Sequence, residues 1–233
     1  MEKQTARGWF RMRPGVLSLF LCAGFFLPPL ALRAQIKTNV FEPDIRNFEL
    51  WDASHPPTTN AVLFVGSSSI RLWEGLAQDF APTPVLQRGF GGSHLADVIE
   101  FTDRIVLPYQ PRLILLYAGD NDLNAGKSPA QVFTDFKSFV AKVHACLPRT
   151  RIAFISIKPS PSRWHLAGPM KAANQLVKDF ARTDRRLEFI DVFKPMLDQQ
   201  GQVRGELFGP DALHLNRQGY ELWRDLIKPH LKP

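Results

Sequence analysis

The chain has 233 residues, 45% of them hydrophobic and 22% charged, an ordinary globular composition without repeat, heptad or low-complexity segment and long enough for one α/β core. Its formal charge of +7 does not point to a nucleic-acid partner, because residues 1–34 carry five basic residues and one acidic residue, and without them the charge falls to +3. The densest basic run that remains, Arg182 to Arg186, is broken by Thr183 and Asp184 and suits a solvated helix end.

In chain order, Lys3, Arg7, Arg11 and Arg13 precede the apolar run Val16 to Leu27, which is followed by Pro28-Pro29 and small residues at Ala31 and Ala34. This order predicts a secretory signal peptide over 1–34, cut after Ala34, and export to the periplasm or the extracellular space. The short run and the two prolines argue against an uncleaved anchor, and nothing later forms an apolar span. Cys22 lies inside that run after Phe20-Leu21, a poor lipoprotein context, and leaves Cys146 alone in the mature chain, so no internal disulfide can form.

Residues 35–60 read as an irregular lead. Ala61 to Val65 then forms an apolar strand that runs into Gly66-Ser67-Ser68-Ser69, with a helix over Ser69 to Asp79. Val85 to Gly89 leads into Phe90-Gly91-Gly92-Ser93 and a helix from Leu95 to Val106; Leu113 to Tyr117 leads into Ala118-Gly119-Asp120-Asn121-Asp122 and a helix from Pro129 to Cys146. Arg151 to Ile157 is a fourth strand, running into Lys158-Pro-Ser-Pro-Ser-Arg163-Trp164; a helix from Met170 to Thr183 and a fifth strand from Leu187 to Val192 follow. The closing helix covers Asn216 to His230. Such alternation predicts a parallel sheet of about five strands with helices on both faces, a three-layer α/β/α sandwich of flavodoxin-like kind, in one domain over 61–233. The polar turns all follow strands, so they share the rim where ligands bind in open α/β sheets.

Just before the closing helix stands Asp211-Ala-Leu-His214. A carboxylate three residues before a histidine can orient the imidazole as a general base, which then needs a nucleophile. Ser67, Ser68 and Ser69 offer one, although each also suits a turn or a helix cap. His55, His94, His144, His165 and His230 form no pair with metal-ligand spacing, so no metal is assigned.

Gly66-Ser67-Ser68, Gly91-Gly92, Gly119-x-Asn121-Asp122 and Asp211-x-x-His214, in this order and spacing, resemble the SGNH branch of the GDSL esterase/lipase family over about residues 60 to 225. The likeness extends to platelet-activating-factor acetylhydrolase-like and carbohydrate-acetylesterase branches. It implies the SGNH hydrolase fold and a carboxylic ester hydrolase (EC 3.1.1 class) that needs no cofactor. By position in the motif Ser68 becomes the nucleophile, His214 the base and Asp211 its partner. The implied oxyanion donors are the backbone N–H groups of Ser68 and Gly92 and the side-chain amide of Asn121. One departure stands out, since Ser67 occupies the place of the usual Asp.

Lys158, Arg163 and Trp164 follow the fourth strand and are the candidates to bind a sugar or an anionic head group. Only 23 residues lie between Ser68 and Gly92 and 28 between Gly92 and Asn121, each interval used by a helix and a strand. Little chain remains there for a lid, which favours a short acyl group on a polar alcohol; Lys194 to Phe208 is the stretch that could fold over the site. The expected partner is a small-molecule or glycan ester, and the oligomeric state is left open. Competing readings are a lysophospholipase or lipase-like acylhydrolase, a flavin- or phosphate-binding module using the Ser-rich loop as a cradle, and a non-catalytic glycan binder on the same fold.

Overall fold

The computed structural model describes residues 39–232; the segment expected to be a signal peptide lies outside them. Five apolar runs form the strands β1 (Val62–Gly66), β2 (Val85–Gly89), β3 (Leu113–Tyr117), β4 (Arg151–Ile155) and β5 (Leu187–Ile190). They pair in parallel in the order β2-β1-β3-β4-β5, the flavodoxin-like arrangement, whose direction of winding switches between β1 and β3.

Strand side chains alternate between the two faces, and the helices supply a partner for each. Leu63, Val65, Ile114, Leu116, Ile152 and Phe154 pack in one cluster with α4 (Leu95–Ile105), α6 (Pro129–Cys146) and α7 (Ala167–Ala181). Val62, Phe64, Leu113, Leu115 and Ala153 face the other way, against Trp73, Leu76, Tyr220, Trp223 and Ile227. Those come from α3 (Leu76–Asp79), the turn after α2 (Ser68–Arg71), and α8 (Arg217–Ile227). Each large apolar side chain buried here contributes about 1.5–3 kcal/mol. Among the described residues no helix is long and apolar enough to cross a membrane.

Two predicted elements need correction. The lead is not irregular, because Glu42–Ser54 is a helix, α1. Pro43 near its start and Glu42 and Asp44 in its first turn suit a helix N-terminus. Ile45 is fully buried, with Phe41 and Phe48 packed on the same core cluster. Farther along, Asp52 forms an ion pair with the buried Arg88 and accepts a 2.6 Å hydrogen bond from the Tyr109 hydroxyl, which burial pushes up to about 12. The helix predicted over Ser69 to Asp79 is in fact two short ones, α2 and α3, parted at Gly75, whose φ of 75° breaks the helical path.

Candidate active site

Register carries the polar turns to one place. Gly66 at the end of β1 lies beside Gly89 of β2 and Tyr117 of β3, so the loops that follow these three strands open at one level. Gly66 itself has no substitute: at its φ of 137° a Cβ would stand 1.9 Å from the Tyr117 carbonyl oxygen. That close approach lets Ser67 N–H donate to the same carbonyl at 3.0 Å and starts α2 at Ser68.

Of the three serines, Ser67 and Ser69 are buried and only Ser68 borders the cleft. His214 Nε2 lies 2.9 Å from Ser68 Oγ, and His214 Nδ1 lies 2.5 Å from Asp211 Oδ2. The second Asp211 oxygen accepts the backbone N–H groups of Leu213 at 3.0 Å and His214 at 2.9 Å. These donors, the His214 backbone N–H foremost and its ring next, hold the Asp211 carboxyl well below the usual carboxylate range. With Nδ1–H donated to a carboxylate, Nε2 is the nitrogen left to accept a proton from the serine. A Ser-rich phosphate cradle does not fit this loop, which presents one hydroxyl and turns the other two inward.

The other turns converge on the same cleft. Gly92, at φ 84°, lines it with nothing within 4 Å of where a Cβ would be. Asn121, in the short helix α5 (Asp120–Asn124), donates from Nδ2 to the Ser93 carbonyl at 3.1 Å. Its neighbour Asp122 is fully buried, accepts the Leu95 N–H at the start of α4 at 3.2 Å and pairs with Lys127 at 2.8 Å. Asp122 thereby ties the Asn121 turn to the Gly92 turn. His94 stands at the N-cap of α4, where its backbone N–H donates to Asp97 Oδ2 at 2.7 Å.

The expected substrate-binding trio divides. Arg163 lines the cleft, with Nη1 3.0 Å from Asn121 Oδ1 and 3.2 Å from Asp120 Oδ2. Lys158 does not reach it, and its assignment is corrected: the chain continues inward past β4, leaving Lys158 1% exposed with Nζ 3.5 Å from Asp120 Oδ2. Burial lowers its pKa, against the opposing pull of Asp120. Trp164 is corrected as well, for it is not among the cleft residues. The 3-10 turn Pro161–Leu166 sends successive side chains in different directions, and the indole stacks on Phe193 with ring centres 6.5 Å apart.

Asp44 of α1 and Arg71 of α2 complete the lining with Gly91 and Leu213, and sequence reasoning found neither. Arg71 had a legible signal, since three residues past Ser68 on a helix is the same face; Asp44 had none once α1 was missed. The cleft encloses about 330 Å³. A larger hollow of about 490 Å³ lies at the amino ends of the strands, lined by Gln110, Arg112, Cys146 and Arg149 among others, and contains no histidine. Among the described residues no group of three His, Cys, Asp or Glu side chains is placed to hold a metal ion.

A hydroxyl against an imidazole oriented by a carboxylate, set where the winding of a parallel sheet reverses, is an arrangement suited to serine-dependent acyl transfer. The comparisons agree. The family model of GDSL-like lipases and acylhydrolases matches residues 63–222, and the chain belongs to that family as a carboxylic ester hydrolase. Solved structures of the same fold include a Streptococcus pneumonia protein described as a platelet activating factor, with 23% sequence identity and TM-score 0.72 over 82% of this chain and 92% of that one. A GDSL-like lipase from Bacteroides thetaiotaomicron gives 18% identity and TM-score 0.69 over 80% and 96%. A catalytic mutant of an acetylxylan esterase from Geobacillus stearothermophilus gives 14% and 0.60 over 73% and 93%. No curated protein matches in sequence.

Proposed function

We propose that this protein is an exported serine esterase that removes short acyl groups, acetyl foremost, from a sugar or other polar alcohol. The observation that carries the chemistry is the unbroken Asp211–His214–Ser68 relay at 2.5 and 2.9 Å. Ser68 Oγ attacks the ester carbonyl carbon as its proton passes to His214 Nε2, and Asp211 stabilises the imidazolium that results. The former carbonyl oxygen takes the negative charge and is met by the N–H groups of Ser68 and Gly92 and by Asn121 Nδ2. Collapse returns the proton from Nε2 to the departing alkoxide and leaves an acyl-serine, which water cleaves by the same steps with His214 again as base.

The lining supports the substrate class. Leu213 is the one aliphatic side chain among the described cleft residues, which favours a short acyl group over a long one, and the polar Asp44 and Arg71 are placed to meet a hydroxylated alcohol. A fold neighbour described as an acetylxylan esterase is in keeping with this reading. Values of kcat/KM across acetyl, butyryl, hexanoyl and octanoyl esters should fall with length; a maximum at octanoyl would favour the lipase-like reading. Export rests on the basic and apolar pattern of residues 3–34, and amino-terminal sequencing of the exported protein should find Gln35 first.

The relay also fixes a pH dependence through Asp211. Its carboxylate, held below the usual carboxylate range by the His214 N–H and ring, stays ionised into acid, so kcat/KM should show no inflection where an ordinary carboxylate titrates; an inflection there would mean that the Asp211–His214 contact is not formed in the working enzyme.

A further inference from the structure

We infer that Arg163 is a positioning residue of the oxyanion hole, fixing through the Asn121 oxygen the orientation in which that amide offers its N–H to the cleft. The inference rests on the reading of Asn121 as an oxyanion donor. A primary amide has a donor end and an acceptor end of nearly equal shape, so its usefulness depends on which end faces the reacting oxygen. Here both ends are specified. Oδ1 accepts from Arg163 Nη1 at 3.0 Å, and Nδ2 donates to the Ser93 carbonyl at 3.1 Å. A guanidinium can only donate and a carbonyl can only accept. Turning the amide over would set N–H against N–H at one end and oxygen against oxygen at the other, and would present an oxygen lone pair to the developing negative charge. In the observed orientation one Nδ2 hydrogen is used by Ser93 and the second remains for the oxyanion. The positive charge on Arg163 also draws electron density toward Oδ1 and sharpens the donor.

Arg163 is itself held. Its side chain is 13% exposed, and Nη1 lies 3.2 Å from Asp120 Oδ2. The buried Lys158 approaches that same oxygen at 3.5 Å, and the other Asp120 oxygen accepts the Asn121 backbone N–H at 2.9 Å. The adjacent Ser162 N–H donates to the Ala212 carbonyl at 3.1 Å, tying the arginine's loop to the turn that carries Asp211 and His214. Lys158 has a consequence for testing, because it leaves Asp120 a partner when Arg163 is replaced.

The test is a double-mutant cycle on the full chain with an activated acetyl ester, reading kcat and KM separately and checking each variant by circular dichroism and thermal melting. Arg163→Met removes the donor at similar length, and kcat should fall by roughly tenfold to a hundredfold with KM unchanged. In an Asn121→Ala background the same change should alter kcat by less than about twofold, since the group it positions is gone. Arg163→Lys keeps a donor and a charge beside Asp120 and should recover part of the loss; it also serves as the probe in both backgrounds if the methionine variant melts early. A raised KM with kcat intact would make Arg163 a substrate-binding residue and overturn the inference. So would an equal loss of kcat in both backgrounds, which marks a structural role. Full activity in Asn121→Ala would overturn the oxyanion reading together with this one, whereas an impaired Asn121→Ala beside a fully active Arg163→Met would sink the positioning role alone.

Discussion

Ser68→Ala and His214→Ala should each remove nearly all turnover, by a factor on the order of 10⁵ to 10⁶, and the double variant should be scarcely worse than either. The reason is in the geometry: Ser68 Oγ donates to one group, His214 Nε2 at 2.9 Å, and each is without chemical use once the other is gone. What survives is the rate supplied by binding and by the oxyanion donors, which neither substitution touches. Ser68 stands at the start of α2 with its side chain toward the cleft, so its loss leaves the fold intact. Single-turnover hydrolysis of an activated acetyl ester by the three variants checks this, as does labelling by a fluorophosphonate, which should be lost in Ser68→Ala. Losses that multiply would mean that the two side chains act independently, and activity retained without the Ser68 hydroxyl would pass the nucleophile to a neighbouring serine.

Asn121→Ala should lower kcat by about 100-fold or more, near 3 kcal/mol, with little change in KM. Its amide is proposed to meet charge that the ground-state ester lacks, so binding of substrate is unaffected and only the barrier rises. The backbone around it has its own supports, Asp120 at the Asn121 N–H and Asp122 at the start of α4, so removing the amide does not collapse the turn. An effect on KM alone would place Asn121 among the groups that hold the ground state.

The strands and their polar turns were legible because apolar runs such as Ala61 to Val65 end abruptly in glycine, and the parallel sheet follows from alternation with helices. The resemblance then singled out Ser68, Gly92, Asn121, Asp211 and His214, which the fold brings to one rim. What escaped was tertiary in origin. α1 sets only Phe41, Ile45 and Phe48 on the core while Leu50 and Trp51 stay exposed, a thin apolar stripe whose stability comes from core packing and from pairing with Arg88 and Arg104. Because that helix was unseen, Asp44 was too. Lys158 was misread for a related reason: a lysine after a strand ordinarily faces solvent, and nothing local announces that Asp120 waits for it inside the protein. Gly75 is a one-residue break in an otherwise continuous helical pattern, and its left-handed conformation becomes visible only once Trp73 and Leu76 pack on the sheet.

His214 and Ser68, the proposed base and nucleophile, stand 146 residues apart in sequence, and this bears on when the site can assemble during folding. The turns proposed to hold the oxyanion are tied to one another across separations of under 30 residues, through Asn121 to Ser93 and Asp122 to Leu95, whereas joining His214 to Ser68 closes a loop spanning most of the domain. The joining is made by α8, which sinks Tyr220 and Trp223 into the core and donates from the Tyr220 hydroxyl to the Ser69 carbonyl at 3.0 Å, beside the nucleophile. A chain in which α8 has not yet docked lacks the contact that brings His214 to Ser68, so on the proposed mechanism it should not turn over ester. Recovery of esterase activity would time that final docking step, and recovery of far-UV helical signal would run ahead of it.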